Sequence, residues 1–194
     1  PVGGILRDVS IFALPKTHVY DMGIETLLDA EFKDADLKVE FYASDAGNAE
    51  IEYVLTDNKG KKVKLEQSTF ALNNGLNANT LPIKNPLKWD SEHPNLYNLT
   101  SIIKKDKKEL YRFDQSVGFR DVKVVGDRLL VNGFPVKLRG ACRHDIHPTL
   151  GRTTTAELDS LDAVLFKESN MNFVRTSHYP PTERFVENCN RSGI

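Results

Sequence analysis

The stretch Asp36-Leu37-Lys38-Val39-Glu40-Phe41-Tyr42-Ala43 sorts its side chains by parity: Leu37, Val39, Phe41 and Ala43 on one face, Asp36, Lys38, Glu40 and Tyr42 on the other. A period of two marks a strand with one face buried and the other in water. Ile51, Tyr53 and Leu55 repeat the pattern, Asp57-Asn58-Lys59-Gly60 signals a turn, and Val63 and Leu65 resume the alternation. Working outward, residues 19–28 read as a strand with partial alternation, and residues 5–14 as one strand ended by Pro15. Phe70-Ala71-Leu72, Thr80-Leu81-Pro82-Ile83, residues 96–103 and residues 110–117 supply further short strands. About seven strands divided by turn signals, with almost no helical period, predict a mainly β chain built on an antiparallel β-sandwich. The run Lys104-Lys105-Asp106-Lys107-Lys108-Glu109 reads as a solvated hairpin tip rather than a nucleic-acid contact.

The character changes after Gly118-Phe119-Arg120. Residues 122–131 and 136–142 are strand-like and joined by the turn Asn132-Gly133. Thr154-Thr155-Ala156-Glu157 predicts a helix start, with Thr154 and Glu157 as a capping box, and Leu158, Leu161, Val164 and Leu165 follow at helical spacing. Asn172-Phe173-Val174-Arg175-Thr176-Ser177 is a short strand. Pro181 opens a second helix with Phe185, Val186 and Cys189 on its apolar side; Gly193 is its C-cap and Ile194 the start of another strand. This βαβα order builds parallel sheets with right-handed crossovers. Only two units are present where a closed barrel needs about eight, so the segment reads as a truncated (β/α)8 barrel. Its open parallel edge and half-covered faces predict self-association.

Composition bounds the function. Of 194 residues, 40% are hydrophobic and 27% charged, with a net charge of -1, so neither disorder nor a nucleic-acid or membrane partner is indicated. No apolar run approaches the roughly 18 residues of a membrane span. Cys142 and Cys189 form no metal-ligand pair and read as two free, mostly buried thiols. No secretory signal pattern is present, and the opening Pro1-Val2-Gly3-Gly4, without Met, reads as a start inside a longer protein. The compartment is not fixed, cytoplasm and bacterial periplasm both being compatible.

Parallel βα units carry their chemistry at the C-terminal ends of strands. Two such ends are legible: Arg143-His144-Asp145-Ile146-His147-Pro148 and Ser177-His178-Tyr179-Pro180. Each puts a histidine at the same rim. Neutral imidazole both donates and accepts hydrogen bonds, which suits a ligand rich in hydroxyl groups. The alternative is that both histidines only cap loops. The cluster His144, Asp145, His147 lacks a strong zinc spacing, and neither a nucleophile elbow nor a phosphate loop occurs.

The run at residues 172–180, with Phe185-Val186, Asn190 and Gly193 beyond it, resembles the signature of glycoside hydrolase family 2. Asn85-Pro86-Leu87-Lys88-Trp89, Glu92 and Pro94-Asn95-Leu96-Tyr97 resemble the motif of the family's immunoglobulin-like sandwich. Val117-Gly118-Phe119-Arg120 and residues 132–140 resemble its link into the barrel, and Gly4-Ile5-Leu6-Arg7-Asp8-Val9 the closing strand of its sugar-binding jelly roll. The resemblance implies three parts: residues 1–14 ending the jelly roll, residues 15–120 forming the sandwich, and residues 121–194 beginning the catalytic barrel. The Arg-His-acid-x-His-Pro run and Asp8 point to the β-galactosidase branch. The implied activity is retaining hydrolysis of terminal β-galactosides by a homo-oligomeric parent enzyme, with β-glucuronidase and β-mannosidase as alternatives. His144, His178 and Asp8 would contact the sugar, Asp8 beside a sodium ion, and Arg175 would orient the nucleophile. Magnesium and sodium would belong to the parent, not to this chain. Both catalytic glutamates would lie on later barrel strands, leaving this chain inactive alone. A stand-alone sandwich binding module is the competing reading, and it has no need of a barrel rim.

Overall fold

A computed structural model describes Ile5 and residues 7–194. Seven strands make the sandwich: β1 (His18–Leu28), β2 (Ala35–Ser44), β3 (Ala49–Thr56), β4 (Thr69–Ala71), β5 (Gly75–Ile83), β6 (Tyr97–Lys105) and β7 (Lys108–Val117). They form a three-stranded sheet, β1-β2-β5, and a four-stranded sheet, β4-β3-β6-β7, antiparallel throughout. This is the immunoglobulin-like division of strands between two sheets. The parity of residues 36–43 becomes one layer of the core: Leu37, Val39, Phe41 and Ala43 are at most 2% exposed. Leu81 stands opposite Leu37, Ile103 opposite Ile51, and Leu99 opposite Leu55, and all six belong to one apolar cluster. Each such fully buried side chain stabilises the fold by about 1.5–3 kcal/mol. Tyr53 lies in this core, where Asn79 Nδ2 donates to its hydroxyl at 2.9 Å, and burial pushes its phenol up to about 12. The charged run 104–109 spans the β6–β7 turn, with Asp106 and Lys107 both at positive φ. Residues 63–65 form no strand, although Val63 and Leu65 pack half-buried on the core.

The aromatic residues after β5 are held by backbone hydrogen bonds. The Leu87 N–H donates to the Tyr97 hydroxyl at 2.8 Å, and the Trp89 N–H donates to the Phe119 carbonyl at 2.8 Å. Gly118 lets the chain pass the indole, for a Cβ there would sit 3.1 Å from Trp89. The Arg120 guanidinium lies 4.5 Å from the indole centre. Asn132 donates to the Trp89 carbonyl at 3.1 Å and accepts from the Asp121 N–H at 2.9 Å. The expected strand at 122–131 is two strands, β8 (Val122–Val125) and β9 (Arg128–Val131), because Gly126 turns the chain at φ 62°. A short β10 (Phe134–Pro135) completes this meander after Asn132-Gly133.

The chain divides into two compact units. One comprises Ala13–Trp89 and Asn95–Pro135; the other comprises Asp90–Pro94, Val136–Ile194 and the described residues up to Phe12. In the second unit β11 (Gly140–Arg143) pairs in parallel with β12 (Phe173–Thr176), and α1 (Ala156–Glu168) and α2 (Glu183–Ser192) follow them. Asn172 sets the approach: its Oδ1 accepts from the Arg139 N–H at 2.8 Å and its Nδ2 donates to the Lys137 carbonyl at 3.2 Å. Gly140 is required by the pairing, because a Cβ there would fall 1.8 Å from the Phe173 carbonyl oxygen. Phe185, Cys189 and Ala163 bury the α1–α2 contact. Gly193 ends α2 at φ 76°, where a Cβ would meet the Ser91 carbonyl oxygen at 2.4 Å; the same oxygen accepts from Lys167 Nζ at 2.5 Å.

Several local expectations change. Residues 7–14 are in no strand: an extended segment becomes one only with a ladder partner, and none pairs with it among the described residues. Leu6 of that expected strand, and Pro1–Gly4 before it, lie outside the described residues. The cap of α1 is Thr155, which accepts from the Leu158 N–H, while Thr154 donates to Asp159 instead. Leu161, Val164 and Leu165 are exposed, and α1 buries Asp159 and Ala163 in their place. Cys142 is exposed, not buried, and Ile194 continues the end of α2 through its N–H to the Cys189 carbonyl.

Candidate active-site rim

The parallel register brings the ends of β11 and β12 level, Arg143 opposite Thr176, and the Ser177 N–H donates to the Arg143 carbonyl at 2.9 Å. His144 leaves the first strand end and His178 the second. Their ring centroids are 5.6 Å apart and nearly perpendicular, at 75°. Tyr179 lies beside them, its ring 6.1 Å from that of His144. The Ser177–His178 peptide is cis. Both imidazoles are exposed, so their ring nitrogens can reach a ligand. Arg175 is also exposed and stands opposite Cys142, one pair back from the strand ends.

Beneath this rim is a group that the sequence reading missed. Arg143 is buried and touches three carboxylates: Asp145 Oδ1 at 2.5 Å, Asp162 Oδ2 at 2.6 Å and Asp159 Oδ1 at 2.8 Å. Its guanidinium also lies 3.9 Å from the centre of the Phe185 ring. Burial alone would lower the Arg143 pKa, but its hydrogen bond to Asp162 and the surrounding carboxylates leave it raised. Asp159, fully buried, accepts from Thr154 at 2.9 Å and from Thr182 at 2.6 Å. Asp145 accepts a second guanidinium, that of Arg7, at 2.5 Å. Charges this deep must be paired, and here they are. The signal in the sequence is the spacing of Asp159 and Asp162, three apart on one helix, just after a strand that ends in arginine.

Asp8 lines a cleft of about 810 Å³ with Arg7, Ser10, Arg152, Arg184 and Tyr179, and Tyr179 also stands beside His144 on the rim. Its carboxylate is exposed and stands 3.7 Å from Arg184. Among the described residues no three His, Cys, Asp or Glu side chains stand close enough to hold a metal ion. His147 turns inward on its own loop, where Nδ1 accepts from the Thr149 and Leu150 N–H groups, both at 3.2 Å.

Comparison with known proteins agrees with this fold. Residues 17–120 match the glycosyl hydrolases family 2 domain, and residues 122–194 match the TIM barrel domain of the same family. A β-galactosidase from Priestia megaterium is 30% identical over the whole chain, and one from Photobacterium profundum 33%. In each case the chain spans 20% of the relative's length. Among solved structures, the β-glucuronidase of Parabacteroides merdae superposes with a TM-score of 0.84 at 25% identity, covering 93% of this chain and 23% of that one. A Bacteroides uniformis β-glucuronidase gives 0.81 at 27% identity, with 93% and 24% covered. Two family domains end to end, an immunoglobulin-like sandwich and the first parallel strand pair of a barrel, make this chain a member of glycosyl hydrolases family 2.

Proposed function

We propose that this chain supplies the sugar-binding rim of a retaining glycosidase that removes terminal β-D-galactosyl groups. The observation that carries the proposal is the imidazole pair, 5.6 Å apart at the ends of neighbouring parallel strands. Two neutral imidazoles offer both donors and acceptors to vicinal hydroxyls. Asp8 adds an acceptor to the same sugar, and Arg175 orients the nucleophilic carboxylate. A retaining mechanism needs two carboxyl groups about 5–5.5 Å apart, one as nucleophile and one as acid/base. Asp145 and Asp159 are buried in ion pairs with Arg143 and Asp162 is bound to the same guanidinium, so none of the three is free for that work. The resemblance implies that the carboxylate pair lies on later barrel strands, and on this reading the 194-residue chain alone turns over no galactoside.

Galactose is favoured by the β-galactosidases that match the whole chain at 30–33% identity and by the His147-Pro148 end of the rim motif. The β-glucuronidases among the solved structures supply the second reading. The test is turnover of aryl β-galactoside and aryl β-glucuronide by the parent enzyme. His144→Ala or His178→Ala should lower kcat/KM for the galactoside by about 10- to 100-fold, the loss expected for an unpaired sugar hydroxyl. Preference for the glucuronide selects the second reading. Unchanged kcat/KM with a lowered Tm makes both histidines loop caps.

A further inference from the structure

We propose that Asp145 and Tyr179 are positioning residues that fix the spacing of the His144–His178 pair, an inference that rests on the sugar-binding role of that pair. Each lies next in sequence to one of the histidines. The Asp145 backbone N–H donates to the Tyr179 hydroxyl at 2.7 Å, which ties the loop after β11 directly to the loop after β12. A second tie runs through the side chain. The Asp145 carboxylate accepts from Arg7, and the same Arg7 nitrogen donates to the Pro180 carbonyl at 3.0 Å. The two ties thus hold residues 179 and 180 on one loop through one residue, Asp145, on the other.

Asp145 is itself fixed. Its other carboxylate oxygen binds Arg143, and Arg143 is anchored to α1 through Asp159 and Asp162. Asp159 also takes the hydroxyl of Thr182, the cap of α2. Backbone, both helices and both loops therefore converge on one set of charges that flanks His144 in sequence and reaches the His178 loop through Tyr179 and Pro180. Hydroxyl recognition is sensitive to sub-ångström placement, and a displacement of about 1 Å in a site can cost on the order of 100-fold. Histidines on untied loops would have to be ordered by the sugar itself.

Tyr179→Phe removes the hydroxyl and keeps the ring beside His144 and below the guanidinium of Arg152, 5.0 Å from the ring centre. The direct readout is the nuclear Overhauser contact between the two imidazoles in the 194-residue chain. We expect it to fall by about half or more in Tyr179→Phe, with little change in Tm, as one tie of two is lost. In the parent enzyme the same variant should lower kcat/KM for an aryl β-galactoside by about 3- to 10-fold, chiefly through a raised KM. Asp145→Glu keeps the charge, moves the carboxylate by one methylene and perturbs the same contact through Arg7; it serves if Tyr179→Phe does not fold. An imidazole contact that survives in the folded variant overturns the positioning role and leaves the galactoside reading standing. A lost contact with unchanged kcat/KM leaves the tie standing and overturns the sugar-binding role of the pair.

Discussion

Arg143→Met tests whether one guanidinium holds the second unit together. Methionine fills the stem and can still lie against Phe185, so the change removes charge and hydrogen bonds more than volume. It strips the closest cation from Asp159 and one of two equally close cations from Asp145, whose side chains are 0% and 3% exposed. Breaking a buried ion pair from one side costs about 3–5 kcal/mol, because the remaining charge stays desolvated. Asp162 is 36% exposed and adds little. The lost cation–π contact adds up to about 2 kcal/mol. These do not sum, for Arg7 remains on Asp145, and Thr154 and Thr182 remain on Asp159. The expected net loss is about 3–5 kcal/mol. It should appear in amide hydrogen exchange as faster opening of β11, β12, α1 and α2, with β2, β3 and β6 unchanged. Adding Asp159→Asn should restore part of the loss by removing the stranded charge. Wild-type protection of α1 in Arg143→Met would refute the electrostatic account of this unit.

Gly140→Ala forces a methyl to 1.8 Å from the Phe173 carbonyl, so it should break the β11–β12 pairing at a cost above about 4 kcal/mol; slow exchange of the Ser177 amide, which donates to the Arg143 carbonyl, would contradict this in the variant. Burial pushes the Cys189 thiol up to about 11, while Cys142 is exposed, so iodoacetamide at pH 8 should modify Cys142 first and Cys189 only on unfolding; equal rates by mass spectrometry would contradict it. The Asp29 carboxylate, exposed, accepts backbone N–H groups from Lys33, Asp34 and Glu31, which lower its pKa below the ordinary 3.8. A depressed carboxylate stabilises the fold above its unfolded pKa and ceases to do so as pH falls through its folded value. Asp29→Ala should therefore lower Tm more at pH 7 than at pH 2, and an equal difference at both would exclude the mechanism.

The sandwich was legible because its information is local. Strict parity at residues 36–43 needs no partner to declare which face is buried, and Leu37, Val39, Phe41 and Ala43 are the buried ones. The two histidines were legible for a related reason: each follows a short strand, and parallel pairing brings strand ends together. Arg143 was not legible in the same way. Its partners come from its own loop and from α1, and Asp159 and Asp162 gain their meaning only when the strand end is placed against them. The apolar spacing of Leu161, Val164 and Leu165 points to one buried face, and the described residues of this chain leave it exposed. Thr154 and Thr155 differ by one position, and only the competing acceptor Asp159 decides which becomes the cap.

Residues 90–94 have a bearing on inheritance. They are encoded in the middle of the sandwich, yet they belong to the compact unit that contains α1 and α2. The Ser91 carbonyl takes the Lys167 ammonium and borders Gly193, so its place in that unit is chemical as well as spatial. Genes that exchange domains by recombination need a crossover point that leaves each product whole. A single crossover at residue 135 would deliver residues 136–194 to a new sandwich without Ser91. The Lys167 ammonium would lose its acceptor, and Gly193 would face whatever loop the new host presented. Recombinants that swap the sandwich while keeping residues 90–94 should therefore survive more often than those that replace it outright.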